Sequence, residues 1–345
     1  MKTLPFLKVS GSHFSCGQQV GLAFKNQIYR YLNLCRNDPP KDRSWQDCLD
    51  QTQKFITPTQ KYFPDIVDEI KGAAKSADLD FIELFATSIE EFYSRHYHLK
   101  DCTDIILLPP ASSHTLILHN NDLPPNLFET LTSVEWNFDD GSRMFTVGLA
   151  GIFVSVGVNN SQIVLSGNEL TPNDTRIGIP RALIARAILS AKTFDEAVKI
   201  AIHPKRASSY NNIITTPNQS VSVEGSATNY ELIFPQKGIL THSNHYCSPK
   251  MLSYEGKSDH HSSTERLNSA DEITLSHLKP INFEMAKSFL GDHSPNENGN
   301  DNTICRHGKA KITLFGFAVD LDTGVVELAS GNPCQNPFQK VWQIK

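Results

Sequence analysis

The chain is 345 residues long, 39% hydrophobic, and carries a formal net charge of −5. That is enough apolar material for one large domain or two, but too little for a membrane protein, and no apolar run approaches the ~18 residues of a membrane span. The negative balance argues against a nucleic-acid partner.

Taken in order, Met1–Lys8 holds too short an apolar run, interrupted by Pro5 and Lys8, to read as a signal peptide. Helical spacing then dominates the first third. Apolar residues recur at Val20, Phe24, Ile28, Tyr31 and Leu32, predicting a helix over Cys16 to Leu34. A loop at 37–42 precedes a second helix over Trp45 to Phe55. Pro64 suits the first turn of a third, through Ile66, Ile70, Ala73 and Ala77. A fourth is predicted over Phe81 to Phe92.

From Cys102 the period changes to alternation. Cys102–Leu108 and Thr115–His119, joined by Pro109-Pro110-Ala111-Ser112-Ser113, predict a β-hairpin. Leu131–Phe138 and Arg143–Leu149 flank Asp139-Asp140-Gly141-Ser142, a second hairpin. Strands follow at Phe153–Val156 and Gln162–Ser166. Helices follow over Ile179 to Ser190 and Phe194 to Ile202, the latter capped by Thr193 with Glu196 three residues on. Four more strands are predicted at Ile213–Thr216, Gln219–Val223, Glu231–Phe234 and Gly238–Thr241. Helices over Thr264 to Leu278 and Phe283 to Leu290, an Asn-rich loop at 293–302, and a closing hairpin of Ala310–Val319 with Val325–Leu328 complete the chain. No repeat or linker divides it. Helices around many antiparallel strands fit an α+β sandwich in one domain, 1–345.

The seven cysteines, Cys16, Cys35, Cys48, Cys102, Cys247, Cys305 and Cys334, form an odd, scattered set. That pattern suits reduced thiols and a cytoplasmic protein. With no C-x-x-C pair, no metal site is expected.

Cys102 stands apart because it opens a strand directly after the helical third, within Lys100-Asp101-Cys102-Thr103-Asp104. If the Asp101–Cys102 peptide bond is cut, Cys102 carries both a thiol and a free α-amine. An α-amine has a pKa of ~7.7–8.0 and can act as base for its own side chain. A thiol attacks only as thiolate, so one residue then holds nucleophile and base. The hairpin would return Asp122, within Asn120-Asn121-Asp122, towards Cys102, where a carboxylate could orient thiol and amine. The competing reading is a buried strand cysteine and an aspartate that caps a turn.

Asp101-Cys102-Thr103 with the Asn120-Asn121-Asp122 run resembles the nucleophile region of the isopenicillin-N/acyl-coenzyme A:6-aminopenicillanic acid N-acyltransferase family, self-cleaving N-terminal-nucleophile enzymes whose relatives include β-alanyl-amine hydrolases. The resemblance spreads over nearly the whole chain. It includes Gly17-Gln18-Gln19-Val20-Gly21, Tyr62-Phe63-Pro64-Asp65, Glu69-Ile70-Lys71-Gly72-Ala73-Ala74, Gly157-Val158-Asn159, Asn168-Glu169-Leu170, Thr241-His242-Ser243-Asn244-His245 and Thr303-Ile304-Cys305-Arg306. It implies a four-layer αββα fold and a chain cut into 1–101 and 102–345 that stay associated. One departure is Asp101, where the family commonly has glycine, which eases a strained scissile geometry.

By the same resemblance Asn244 matches an asparagine that donates to the oxyanion, and Arg306 an arginine near the nucleophile, there to lower the thiol pKa or hold a carboxylate. The alternatives are a turn asparagine and a structural salt bridge, such as one to Asp122. Asn168 is a further pocket candidate. His242 and His245 are three apart and face opposite ways on a strand, which argues against a Cys–His dyad. Cys305 reads as a packed thiol and His260-His261 as an exposed pair. The expected activity is hydrolysis or transfer of the acyl group of a small N-acyl or β-aminoacyl amine through a thioester on Cys102. No cofactor is expected, although a coenzyme A thioester could donate the acyl group. The alternative from another class is an uncut small-molecule binder.

Overall fold

The change of period near residue 101 marks where the chain passes from helices to sheets. In the computed structural model, residues 3–92, 101–277 and 279–344 are described. The segment 93–100, which leads into the expected cut, and Leu278 at the end of one predicted helix lie outside them.

Strand β1 (Phe6–Gly11) opens the chain, followed by α1 (His13–Ala23), α2 (Lys25–Asn37), α3 (Trp45–Tyr62), α4 (Pro64–Ala77) and α5 (Phe81–Ala86). The helix predicted over 16–34 is two helices, divided at Phe24, whose φ of −110° and ψ of 25° leave the helical range. Ser12 caps α1, Ser44 and Asp47 form a reciprocal capping box on α3, and Pro64 occupies the first turn of α4. The predicted helix over 81–92 stops at Ala86, with a short 3₁₀ turn at Glu90–Phe92.

Next come β2 (Asp101–Leu107), β3 (Leu116–Leu123), β4 (Leu131–Phe138), β5 (Arg143–Leu149), β6 (Phe153–Asn159) and β7 (Val164–Asn168). Helices α6 (Arg181–Ile188) and α7 (Phe194–Ala201) precede β8 (Asn211–Thr216), β9 (Gln219–Gly225), β10 (Tyr230–Ile233) and β11 (Ile239–His242). The chain ends with α8 (His261–Leu275), α9 (Phe283–Phe289), β12 (Ile312–Asp320), β13 (Val325–Ser330) and β14 (Gln339–Gln343).

Two sheets result. One runs β1-β4-β5-β6-β7-β8-β9-β10 and the other β11-β2-β3-β12-β13-β14. Among the strand pairs of the described residues, only β1–β4 is parallel. The edge strands β1 and β14 have no counterpart among the sequence expectations; both are short and only partly buried, so alternation is weak in them. Helices α6 and α7 cover the first sheet, α8 and α9 cover the second, and β7 faces β2 and β3 between them. The architecture is therefore the αββα sandwich, of mixed α+β class.

Alternation along β2 and β3 assigns their faces. Ile106 and Ile117 join the core between the sheets. Ile105, Leu107, Leu116 and Leu118 join a second core with Ala270 and Phe289 beneath α8 and α9. By the same period, Cys102, Asp104, His119 and Asn121 face the space between the sheets, and Asp101, Thr103, Asn120 and Asp122 face the helices.

The glycines of the Gly17 to Gly21 stretch have a packing role. A Cβ on Gly17 would lie 2.1 Å from the Glu69 carbonyl oxygen, one on Gly21 2.2 Å from that of Ala73, and one on Gly72 2.1 Å from that of Phe14. Helices α1 and α4 thus meet backbone to backbone. Gly21→Val is expected to lower unfolding stability by at least the ~1–3 kcal/mol typical of overpacking, read by denaturant titration.

The first hundred residues are tied firmly to the rest. Beyond the β1–β4 pairing, Arg186 on α6 grips the buried Glu69 of α4 with Nη2 at 2.5 Å and Nε at 3.0 Å. Arg181 donates from Nε to Glu90 at 3.0 Å and from its backbone N–H to Glu91 at 2.9 Å. Among the described residues no helix is long and apolar enough to cross a membrane.

Candidate active site

Cys102 is the second residue of β2, and its main chain is held from both sides. Its N–H donates to Asn244 Oδ1 at 2.8 Å. Its carbonyl accepts from Arg266 Nη1 at 2.6 Å, Asn168 Nδ2 at 3.2 Å and Ser243 Oγ at 3.3 Å. These partners come from α8, from the end of β7 and from the two residues after β11. The hairpin and the neighbouring β11 thus place the cysteine where three separate segments converge.

The thiol points between the sheets. It is 3% exposed and lines a cavity with Asn121, Val154, Ser166, Asn168 and Tyr210. Asn121 Nδ2 donates to Cys102 Sγ at 3.5 Å and lies 3.4 Å from His119 Nε2. His119 Nδ1 in turn meets both oxygens of the buried Asp104, at 3.1 and 3.0 Å. Three polar atoms around this cavity, Asn121 Oδ1, Ser155 Oγ and Ser166 Oγ, are buried with no hydrogen-bond partner. Such groups favour a ligand able to bond them.

The thiol itself is held protonated. Burial is the main cause, and the carboxylates of Asp104, Asp122 and Asp101 add to it against the opposing Arg266 cation. A nearby base is needed before this sulfur can attack.

The register puts Asn121, not Asp122, opposite Cys102; Asp122 pairs with Asp101. Asp122 therefore lies on the helix-facing side, away from the thiol and near the backbone nitrogen's end of the strand. Its Oδ1 accepts from Thr313 Oγ1 at 2.7 Å, and its Oδ2 lies 4.0 Å from Arg266 Nη1. Burial raises its pKa against the pull of Arg266 and Arg306.

Arg306 contacts Asp101, the residue before Cys102, rather than Cys102 itself. It pairs with Asp101 through Nη1 and with Asp301 through Nε and Nη2 at 3.1 and 3.0 Å. Lys311 Nζ adds a contact to Asp101 Oδ2 at 3.0 Å, and Arg266 Nη2 lies 3.9 Å from Oδ1. Burial would raise the Asp101 carboxyl, yet Arg266, Lys311 and Arg306 together hold it well below the usual carboxylate range. Asp101 is thus an anion caged by three cations.

Asn244 turns its oxygen to Cys102 N and its Nδ2 to the Glu169 carbonyl at 3.2 Å. Glu169 is itself paired with the buried Arg181. Asn168 joins the site firmly, donating also to Asp104 Oδ2 at 2.9 Å and accepting from Asn211 Nδ2 at 3.0 Å. The histidines flanking Asn244 serve elsewhere. His242 bridges Glu224 at 2.8 Å and Asn168 Oδ1 at 2.9 Å, and His245 meets Ser263 at 2.6 Å. Against burial, Cys247 and Glu224 push His242 up to about 10.

Arg266 is the functional residue that sequence reasoning missed. It is fully buried on α8 and bonds the Cys102 carbonyl, Thr103 Oγ1 at 3.0 Å and Asn244 Oδ1 at 3.0 Å. Its surrounding sequence, Ser-Thr-Glu-Arg-Leu-Asn, gives no sign of this. Asp104, His119 and Asn121 did leave a signal: polar residues at period two, on the Cys102 face of otherwise apolar strands.

The sequence model of the acyl-coenzyme A:6-aminopenicillanic acid acyl-transferase family matches residues 110–335, more than half of the chain. The match begins in the turn after β2 and takes in Asp122, Asn168, Asn244, Arg266 and Arg306. Among solved structures, the chain is similar to a mutant and a variant of the conjugated bile acid hydrolase from Clostridium perfringens. Each is 10% identical with a TM-score of 0.44; they cover 71% of this chain and 98% and 97% of their own. Penicillin V acylase from Agrobacterium tumefaciens is also 10% identical, with a TM-score of 0.42, over 66% of this chain and 82% of its own. No curated protein matches the sequence significantly.

Proposed function

We propose, from the premise that the chain belongs to the acyl-coenzyme A:6-aminopenicillanic acid acyl-transferase family and is an amide-hydrolysing or acyl-transferring enzyme, that Cys102 is its nucleophile and becomes N-terminal by self-cleavage. The observation that carries this reading is the two-sided grip on the Cys102 main chain. Asn244 holds the nitrogen and Arg266, Asn168 and Ser243 hold the carbonyl, so the residue keeps its place once the bond to Asp101 is gone.

In self-cleavage, Sγ attacks the Asp101 carbonyl carbon, the C–N bond breaks, and the departing nitrogen takes up the thiol proton and becomes the Cys102 α-amine. Water then hydrolyses the thioester, freeing the Asp101 carboxylate and the thiol. The cation cage around the Asp101 side chain fixes the scissile bond, a role glycine would fill by its freedom instead. The fragments 1–101 and 102–345 remain together through the β1–β4 ladder and the buried Glu69–Arg186 pair.

In turnover, the α-amine takes the thiol proton and Sγ adds to the carbonyl carbon of a small amide. Asn121 Nδ2, already beside the sulfur, donates to the developing oxyanion, and Asn244 can supply its amide from the other side. The amine then passes its proton to the leaving nitrogen as the C–N bond breaks, leaving a thioester on Cys102. Water releases the acid, or a second amine accepts the acyl group; a coenzyme A thioester could load the enzyme instead. The apolar Val154, Leu165 and Ala185, with Asn121 Oδ1, Ser155 Oγ and Ser166 Oγ unsatisfied among the described residues, suit a short acyl chain bearing a polar group, as in a β-aminoacyl amine. An odd, scattered set of seven cysteines suits a reducing compartment, the cytoplasm.

The test is turnover of a panel of N-acyl and β-aminoacyl amines as a function of pH. Because the free amine is the active form, kcat/KM should rise through a single ionisation near the ordinary α-amine range of ~7.7–8.0. Activity that is flat across that range would reject the amine as base.

A further inference from the structure

Four side chains outside the site described above converge on one point: His293, Cys305, His307 and Cys334. Their ligand atoms all lie within 4.8 Å of one another. We propose that they form a structural zinc site.

The distances from His307 Nε2 to the other three ligand atoms are close to the edges of a tetrahedron. With Zn–N near 2.05 Å and Zn–S near 2.3 Å, its edges are about 3.3 Å between nitrogens and about 3.6 Å between nitrogen and sulfur. His293 Nε2 and His307 Nε2 stand 3.2 Å apart, His307 Nε2 is 3.3 Å from Cys334 Sγ, and Cys305 Sγ is 3.6 Å from His307 Nε2. Two imidazole nitrogens facing each other at this distance share at most one proton usefully. A cation at the centre satisfies all four atoms at once.

The surroundings prepare the ligands. His293 Nδ1 lies 3.2 Å from the Glu297 carbonyl, so that nitrogen carries the proton and Nε2 presents its lone pair. Asn332 Nδ2 donates to Cys305 Sγ at 3.6 Å, which favours a thiolate. Gly299 has φ of +68°, and a Cβ there would meet His307 Cδ2 at 2.5 Å and His293 Cδ2 at 3.0 Å, so the loop closes over both rings only as glycine. Two sulfurs and two imidazoles in a closed set select zinc among common divalent ions and leave no position for substrate. Sequence reasoning expected no metal because the ligands do not form a C-x-x-C pair; they come from the 291–311 loop and from the turn after β13.

The site has a structural use. The loop that carries three of the ligands also presents Arg306, itself paired with Asp301, to Asp101, and Asn332 Nδ2 holds the Arg306 carbonyl at 2.8 Å. Zinc would fix the far side of the loop whose near side cages Asp101.

The experiment is metal analysis of the full chain purified under reducing conditions, followed by exchange with cobalt(II). One zinc per chain is expected. The cobalt form should show tetrahedral visible bands and a thiolate-to-cobalt charge-transfer band. Cys305→Ser and His293→Ala should each lose stoichiometric metal, and chelation should lower the melting temperature of the parent chain, reversibly with zinc. Chains without bound metal, a Cys305–Cys334 disulfide detected by mass, or full metal retention in both variants would overturn the proposal. A variant that fails to fold is replaced by Cys334→Ser at the exposed ligand, judged by the same cobalt spectrum.

Discussion

Cys102→Ala is expected to leave a single uncut chain with no amide turnover, a loss on the order of 10³-fold or more. Among the described residues Asn121 is the thiol's one hydrogen-bond partner, so its removal should leave the fold intact. The main-chain contacts to Asn244, Arg266, Asn168 and Ser243 do not involve the side chain. Circular dichroism and denaturant titration of the variant should therefore match the parent while activity vanishes. Cys102→Ser keeps a nucleophile of much higher pKa and should be slow rather than silent in processing. Normal turnover by the alanine variant would remove the nucleophile from this account.

The second large effect is expected at Arg266. Its guanidinium is fully buried, holds the Cys102 carbonyl and Asn244, and stands between Asp101 at 3.9 Å and Asp122 at 4.0 Å. Arg266→Met leaves buried carboxylates less compensated, and breaking a buried pair in this way typically costs ~3–5 kcal/mol. It also frees the nucleophile's main chain. A displacement near 1 Å at the reacting atoms is enough for a loss of about 10²-fold, so kcat should fall by about that factor with KM less affected. A lysine cannot span the same three acceptors with a planar fork, so Arg266→Lys should recover stability better than kcat. A role confined to folding would move stability alone.

Much of the fold was legible because it rests on local chemistry. The cap at Thr193, Pro64 in a first turn, the Asp139-Asp140-Gly141-Ser142 turn and the alternation from Cys102 onward each specify their element without help from distant residues. The split of the first helix at Phe24 and the edge strands β1 and β14 were not, since tertiary pairing decides them. The site divides the same way. Cys102 was visible from its place at a change of period, and the resemblance to known N-terminal-nucleophile enzymes pointed to Asn244, Asp122 and Arg306. The register of the hairpin was not readable, because the eight residues between Leu107 and Leu116 can close it in more than one way. A one-residue slip exchanges Asn121 with Asp122 beside the thiol. Arg266 lies 164 positions from Cys102, and a lone arginine in a polar helix reads as a solvated face until packing shows otherwise. The same holds for His293, Cys305, His307 and Cys334, which only the folded loop brings together.

The departure at Asp101 has a physical account. A carboxylate there is neutralised by Arg266, Lys311 and Arg306, and in the uncut chain it helps hold the Cys102 thiol protonated. The proposed self-cleavage would act twice in the same direction. It would create a base on Cys102, and any withdrawal of Asp101 would leave cations that favour the thiolate.

The most direct measurement is the intact mass of the purified chain with N-terminal sequencing of each species. Self-cleavage predicts two chains, 1–101 and 102–345, which co-purify, with the second beginning at Cys102. A single chain that stays uncut on prolonged incubation, and whose mass and activity are unchanged by Cys102→Ala, would contradict an N-terminal cysteine as the catalytic centre.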